Sequence, residues 1–323
     1  MKQRTPDYFP EFQCIGSECK DNCCIGWEID IDPKTYAYYQ SVPGDFGDRL
    51  RRGIKNKGTP SFQMRKGRCV FLDQENLCTI HKTLGEDKLC QICRDHPRFL
   101  GIYGDITEIG LGIACEVAAR LILENPKKMG FIEDSKNSEE NSDYSDITFL
   151  FQIRKHIFAI LQNRDMNIWS RMKQMLVYGE KMQKKYFQTS MISADDFERM
   201  NSRSYLNDWI SFYTELDCMD KQWIAYLHST IEYNKSRQEQ NLCLSDLFYE
   251  QLSVYFIYRY FMKASFDQNL LGKIKFAVIS CLLIYNIAEA VQKKPLDIAR
   301  IYSKEIEYSE GNLYEIFDEI LFD

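Results

Sequence analysis

Cys14, Cys19, Cys23, Cys24, Cys69, Cys78, Cys90, Cys93 and Cys115 place nine of the chain's twelve cysteines in its first 115 residues. Only Cys218, Cys243 and Cys281 are scattered over the remainder. Thiolates are nucleophiles and soft metal ligands, so this density locates metal or redox chemistry in the N-terminal third. The opening MKQRTPDYFPEF lacks the apolar core of a secretory signal, which predicts a cytoplasmic protein. Thiols stay reduced in that compartment, so closely spaced cysteines read as metal ligands or redox groups before disulfides.

The spacings divide the set. C-x4-C-x3-C-C runs from Cys14 to Cys24, and neighbouring side chains such as those of Cys23 and Cys24 are expected to point apart, one of them away from a shared centre. R-C-V-F-L-D-Q-E-N-L-C-T-I-H-K follows from Arg68 to Lys82, then C-Q-I-C-R-D-H-P-R from Cys90 to Arg98, with Cys115 ending the apolar stretch IGLGIAC. Structural zinc takes four nitrogen or sulfur ligands, commonly from two C-x2-C knuckles, and only Cys90 and Cys93 form one here. An iron–sulfur cluster also takes about four thiolates but accepts them from dispersed loops. A disulfide or metal-free redox role is the third reading. All nine thiols are candidate ligands, more than one centre needs.

His81 and His96 lie within a few residues of these cysteines and are expected to brace the site by hydrogen bonding, with ligation or proton transfer as the alternative. His156 and His228 fall in helical segments and read as structural. Arg94 and Arg98 would offset thiolate charge or pair with an acid such as Asp95.

The elements that must position these groups differ along the chain. At 323 residues the chain is long enough for two domains. Residues 1–125 show short apolar runs broken by Gly and Pro, which predicts an irregular, cysteine-rich, metal-binding domain. Residues 126–146, PKKMGFIEDSKNSEENSDYSD, have little to bury and read as a polar linker. Residues 147–323 are helical in pattern throughout, so the fold class is mainly α. Helices are predicted over 147–164, 167–186, 195–201, 204–216, 218–234, 245–264, 269–292 and 296–307, with Ser193 and Ser245 as N-caps and Pro295 and Gly311 punctuating the end. The apolar run at 276–292 falls short of a membrane span and is broken by Asn286 and Glu289, so it reads as a core helix and no membrane partner is expected.

The net charge of −6 is uneven: residues 1–125 carry 17 basic against 18 acidic side chains, and the rest carry the excess of acid. That balance excludes a general nucleic-acid binder. The local clusters RLRRGIKNK (49–57) and RKGR (65–68) read as solvated loops.

Taken together, the Cys14 to Cys24 run, the R-C-V-F-L…C-T-I-H element and C-Q-I-C-R-D-H-P-R resemble the bacterial flagellin lysine N-methylases and the related cysteine-cluster proteins proposed to chelate zinc or iron. The resemblance is strongest over residues 6–125, while the helical remainder fits in length and character without a motif. It implies a protein-lysine N-methyltransferase that moves methyl groups from S-adenosylmethionine to surface lysines of flagellin and carries an iron–sulfur cluster, with 4Fe-4S expected and zinc as the alternative. Such a reaction needs a neutral amine, because an ammonium has no lone pair. Tyr103, Asp105 and Glu108 in GIYGDITEIG are candidate bases. G-L-G-I-A-C at 110–115 only echoes a dinucleotide-type glycine turn, and Cys19-x3-Cys23 lacks the third cysteine of a radical motif because position 26 is Gly26. A non-enzymatic redox or metal-sensing module, or an electron-transfer oxidoreductase, are the competing functions.

Overall fold

The computed structural model of the chain describes residues 2–19, 22–56, 58–134, 145–187, 197–236 and 245–322. They form two compact units that do not follow chain order: Met1–Phe12, Leu100–Ala114 and Ala118–Asp323 make one, and Gln13–Phe99 with Cys115–Val117 make the other. The chain is mainly helical, and the helices are concentrated in the first unit.

That unit is organised by the helix Leu270–Val291, in which every residue from Leu270 to Ala288 is buried. It is 22 residues long, the counterpart of the helix predicted over 269–292, and by length and composition alone it would suit a membrane crossing. Its surroundings show why it is a core helix. Ile168–Phe187, Lys221–Ser236, Asp246–Tyr260, Pro295–Tyr302 and Glu310–Phe322 all pack on it. The Ile168–Phe187 helix approaches so closely at Gly179 that a Cβ there would lie 2.4 Å from Ile274 Cδ1.

Most predicted helices have observed counterparts, at Ser145–Leu161, Ile168–Phe187, Arg203–Tyr213, Lys221–Ser236, Asp246–Tyr260 and Pro295–Tyr302. The last runs into a π-helical turn, Ser303–Glu307. Ser245 takes the N-cap position without a side-chain cap hydrogen bond. Of the stretch 195–201, Phe197–Met200 is helical, and Ser193 lies outside the described residues. Gly311 does not end the helical part; it sits in the first turn of a further helix, Glu310–Phe322.

The N-terminal third is less irregular than its sequence suggests. Arg98–Tyr103, Ile106–Leu111, Lys2–Pro6 and Phe131–Asp134 form a four-stranded sheet in that order. Lys2–Pro6 pairs in parallel with Ile106–Leu111 and antiparallel with Phe131–Asp134. The strand Phe131–Asp134 falls within the stretch that reads as a linker, of which residues 135–144 lie outside the described residues. Arg4 on the central strand stands in register with Glu108 on one side and Glu133 on the other. It reaches both, at 3.5 and 2.6 Å.

Glu108 is also gripped by Arg154 of the Ser145–Leu161 helix through two contacts of 2.8 and 2.5 Å. Both side chains are almost fully buried, at 2% and 3% exposure, and the Arg154 guanidinium lies 5.2 to 5.9 Å from the ring centres of Phe131, Phe151, Phe158 and Tyr258. A forked, bidentate pair walled by aromatic rings keeps both charges satisfied away from water. Removing one partner strands the other. Arg154→Ala is therefore expected to lower unfolding free energy by about 3–5 kcal/mol, and Glu108→Gln by less. Urea denaturation of both variants checks this; a loss under about 1 kcal/mol for Arg154→Ala would show that the pair is not what ties sheet to helix.

Candidate functional site

The second unit has only short pieces of regular structure, so its cysteines are positioned mainly by turns and side-chain caps. Met64–Arg65 pairs with Arg68–Cys69 across the two-residue turn Lys66-Gly67, where both residues have positive φ (50° and 74°). A turn of that kind matches the twist of a tight hairpin and sets Cys69 at its end. Cys24 and Ile25 lie alongside: Cys69 N donates to Cys24 O at 2.9 Å and Gly26 N to Gly67 O at 2.7 Å. Gly26 itself has φ +84°, which favours glycine.

Asn22 orders the approach to Cys24, accepting from its N–H at 2.9 Å and donating to Asn76 O at 3.0 Å. Asn76 in turn accepts from Arg68 at 2.7 Å. Between Cys69 and Cys78 the chain turns on Asp73, whose Oδ1 accepts from the N–H groups of Glu75 and Leu77, both at 2.9 Å. A bridge between Leu72 and Cys78 closes that loop.

Cys90 is the N-cap residue of the short helix Gln91–Asp95, which carries Cys93. Asp32 holds this helix and another at once. Its Oδ1 caps Pro33–Ser41 at Thr35 N (3.0 Å) and its Oδ2 accepts from Gln91 N (2.9 Å). Burial pushes the Asp32 carboxyl up, but the N–H groups of Gln91 and Thr35 outweigh it and hold the group below the ordinary carboxylate range. Behind these turns lies a core of Ile29, Ile31, Tyr39, Leu50, Phe62, Phe71 and Ile80, against which Cys24, Cys78 and Cys93 pack.

The result brings six of the nine candidate thiols within electrostatic reach of one another: Cys23, Cys24, Cys69, Cys78, Cys90 and Cys93. Cys23 and Cys24 do not point apart as their adjacency suggested; their side chains hydrogen-bond, and that contact, with burial, raises Cys24 far above the ordinary thiol range. Within the C-x2-C pair a bond from Cys93 lowers Cys90, while the same bond and burial raise Cys93. Burial pushes Cys69 up to about 11 and raises Cys78. Cys14 accepts from Gly16 N at 3.4 Å, and Cys19 donates to Glu116 at 3.8 Å. Cys115 follows the buried turn that ends at Ala114, beyond the strand Ile106–Leu111, and Cys243 lies outside the described residues.

The described cysteines are all free thiols. Among the described residues, no three His, Cys, Asp or Glu side chains converge at metal-holding geometry, so the arrangement does not show the metal-binding character expected of this region. The donor chemistry nonetheless suits a thiophilic centre: the six sulfurs come from four separate chain segments, and burial with neighbouring thiols raises Cys24, Cys69, Cys78 and Cys93, a cost of ionisation that a cation would offset.

The remaining expectations resolve individually. His96 packs edge-on to Trp27 with ring centres 6.1 Å apart, and Arg94 pairs with Asp95 at 3.4 Å. His81 is exposed on the helix Thr79–Leu84. Glu108 is committed to Arg154 and Arg4, and burial beside it pushes Tyr103 up to about 12. Asp105 lies in the turn and its carbonyl accepts from Lys2 N at 2.7 Å. The stretch 110–115 does join a strand, Ile106–Leu111, to a helix, Glu116–Leu123, and Ile113 N donates to Tyr255 OH at 3.4 Å. Asp32, Asn22 and Asn76 were not anticipated, although Asp32-Pro33 is a legible helix start.

Residues 154–323 match the family described as FliB lysine N-methylase C-terminal domain. The chain belongs to that family. The match to the FliB family falls on the helical part, where no motif could be quoted, rather than on the cysteines that carried the resemblance. Two relatives are named Lysine-N-methylase, from Salmonella typhimurium and Salmonella choleraesuis, each 31% identical over 144 residues, which is 41% of this chain and 36% of theirs. The chain thus spans about a third of their length. A third, the flagellar biosynthetic protein FliU of Salmonella muenchen, is 30% identical over 152 residues, 44% of this chain and 90% of its own. No solved structure matches.

Asp32→Ala is expected to destabilise the second unit by about 1–2 kcal/mol, since one side chain caps two helices. Hydrogen exchange at the Thr35 and Gln91 amides is the direct readout. Unchanged protection at both would remove Asp32 from its positioning role.

Proposed function

We propose that this chain is a protein-lysine N-methyltransferase that uses S-adenosylmethionine to methylate lysines of flagellin in a reducing cytoplasm. Membership of the FliB family is the observation that carries this reading, and the names of the Salmonella relatives support it. In the reaction, the lone pair of a neutral lysine ε-amine forms a bond to the donor's methyl carbon while the carbon–sulfur bond breaks. S-adenosylhomocysteine leaves, and the methylated nitrogen releases a proton. A neutral amine is the requirement on the protein, met by shielding the entering lysine from water or by a nearby acceptor.

We further propose an iron–sulfur cluster, 4Fe-4S, in the second unit, held by four of Cys23, Cys24, Cys69, Cys78, Cys90 and Cys93. Cys14, Cys19 and Cys115 are the reserve ligands. When bound, the cluster would supply thiolate-ligated iron that draws together loops with little regular structure of their own. The protein's share is to present the thiols: Asp32 fixes Cys90, Asn22 fixes Cys24, and the Lys66-Gly67 turn fixes Cys69.

One observation favours a second reading. The six thiols within electrostatic reach of one another lie wholly in the unit outside the matched domain, as expected if that unit is a redox or metal-sensing module. The two separate in one experiment on anaerobically purified full chain. Iron and sulfide are assayed, and lysine mass increments on flagellin are followed with S-adenosylmethionine. Methylation is expected, with Cys24→Ser and Cys93→Ser lowering metal content and activity at least tenfold. Intact metal with no increment on flagellin would discard the enzyme in favour of the module, and full metal retention in both variants would remove these two cysteines from the ligand set.

A further inference from the structure

The two basic clusters of the sequence, RLRRGIKNK and RKGR, meet in the fold. The helix Gly44–Arg52 ends at Gly53, and the hairpin strand Met64–Arg65 comes alongside. Between them lies a cavity of about 340 Å³ lined by Arg49, Arg52 and Arg65 together with Gln63, Gly53 and Phe71. The floor is built. Phe71 lies so close to Gly53 that a Cβ on that glycine would stand 2.4 Å from its ring, and Arg49 lies over the same ring at 5.6 Å. Gln63 donates to Arg52 O at 2.8 Å, which holds the helix end against the hairpin.

Arginines in the last turn of a helix are ordinarily explained by its dipole and its free carbonyls. That accounts for Arg51, which bonds Val42 O and pairs with Asp48, and in part for Arg49, which donates to Val70 O at 3.3 Å. It does not account for Arg65, which comes from the other element, or for the head group of Arg52. The cavity lining contains no carboxylate, and neither Arg52 nor Arg65 has an acidic partner among the described residues. Guanidinium groups gathered on one concavity repel one another unless an anion sits among them, and their planar forks suit oxyanions best.

We propose that this cavity is a binding site for a small molecule bearing two or more oxyanion charges, such as a phosphate ester or a polycarboxylate. Its volume is that of a small-molecule pocket, and its recognition chemistry is charge from Arg52 and Arg65 with Arg49 fixed on Phe71 as the wall. The site requires neither the thiols nor methyl transfer.

The test titrates the full chain calorimetrically with inorganic pyrophosphate and, separately, with citrate at low ionic strength. Saturable one-site binding of at least one probe is expected, weakening as salt is raised. Binding of pyrophosphate alone marks a phosphate ligand, of citrate alone a carboxylate ligand, and of both a site that reads charge. The double variant Arg52→Gln, Arg65→Gln should weaken binding at least tenfold, while Lys293→Gln, an exposed charge in the other unit, should leave it within twofold. Phenylglyoxal labelling of the unmutated chain gives a readout that does not depend on the variant folding, with Arg52 and Arg65 shielded by the bound probe. No saturable binding of either probe, or binding without shielding of those two arginines, would overturn the proposal.

Discussion

A helix buried over nineteen consecutive residues, Leu270 to Ala288, leaves no face for polar groups to reach water, and this constraint shapes the whole helical unit. Each polar side chain on it needs a partner from another element. Lys273 finds Asp267 and lies 3.9 Å from the centre of the Phe317 ring. Ser280 meets Tyr302 at 2.8 Å, and Tyr302 reaches Tyr213 at 2.8 Å, so three helices are joined by one chain of hydroxyls. Asn286 and Asn234 exchange two amide hydrogen bonds at 2.8 and 3.0 Å. Apolar burial supplies the driving force, while these pairs select the register in which helices surround the core.

Carboxylates follow the same logic. Glu250 is shared between Arg164 and Arg171, at 2.9 and 2.7 Å. Glu307, at the π-helical turn, accepts from Tyr255 and Tyr260 and pairs with Arg259 at 3.3 Å. Glu108 has Arg154. Glu305 instead accepts from the Met219 and Asp220 N–H groups, and burial raises its carboxyl above the ordinary value. Three buried acids, Glu108, Glu250 and Glu307, are therefore each paired in place with arginine.

Helices with a strong apolar period were legible because they can be read from residues three and four apart. Ser145–Leu161 and Ile168–Phe187 are of this kind. The sheet was not, because its central strand, KQRTP, has no apolar alternation and takes its partners from residues about a hundred positions away. Glu310–Phe322 was hidden by Gly311, a residue that usually marks a helix end and here occupies a first turn. At the thiols, the sequence showed which residues were candidates, but not that Cys23 and Cys24 would face each other. Their orientation depends on Asn22, Asn76 and the hairpin at Lys66-Gly67, contacts spread over more than fifty residues. The same holds for the arginine cavity: each basic run alone reads as a solvated loop, and only the meeting of helix end and hairpin makes a pocket of them.

The two units solve the stabilisation problem differently, and this bears on how the chemistry is divided. The helical unit has a large apolar core in which many buried polar groups are paired with one another. The cysteine unit relies on two-residue strands, short helices and single side chains that cap two elements at once, with six thiols within electrostatic reach of one another. Burial and neighbouring thiols raise Cys24, Cys69, Cys78 and Cys93 against ionisation. Binding a cation there would convert mutual repulsion into shared attraction and would add its binding free energy to the folding of that unit. A cation bound there, as proposed, would govern the stability of the cysteine unit far more than that of the helical unit. Its role in organising structure would then be separable from any role in the reaction.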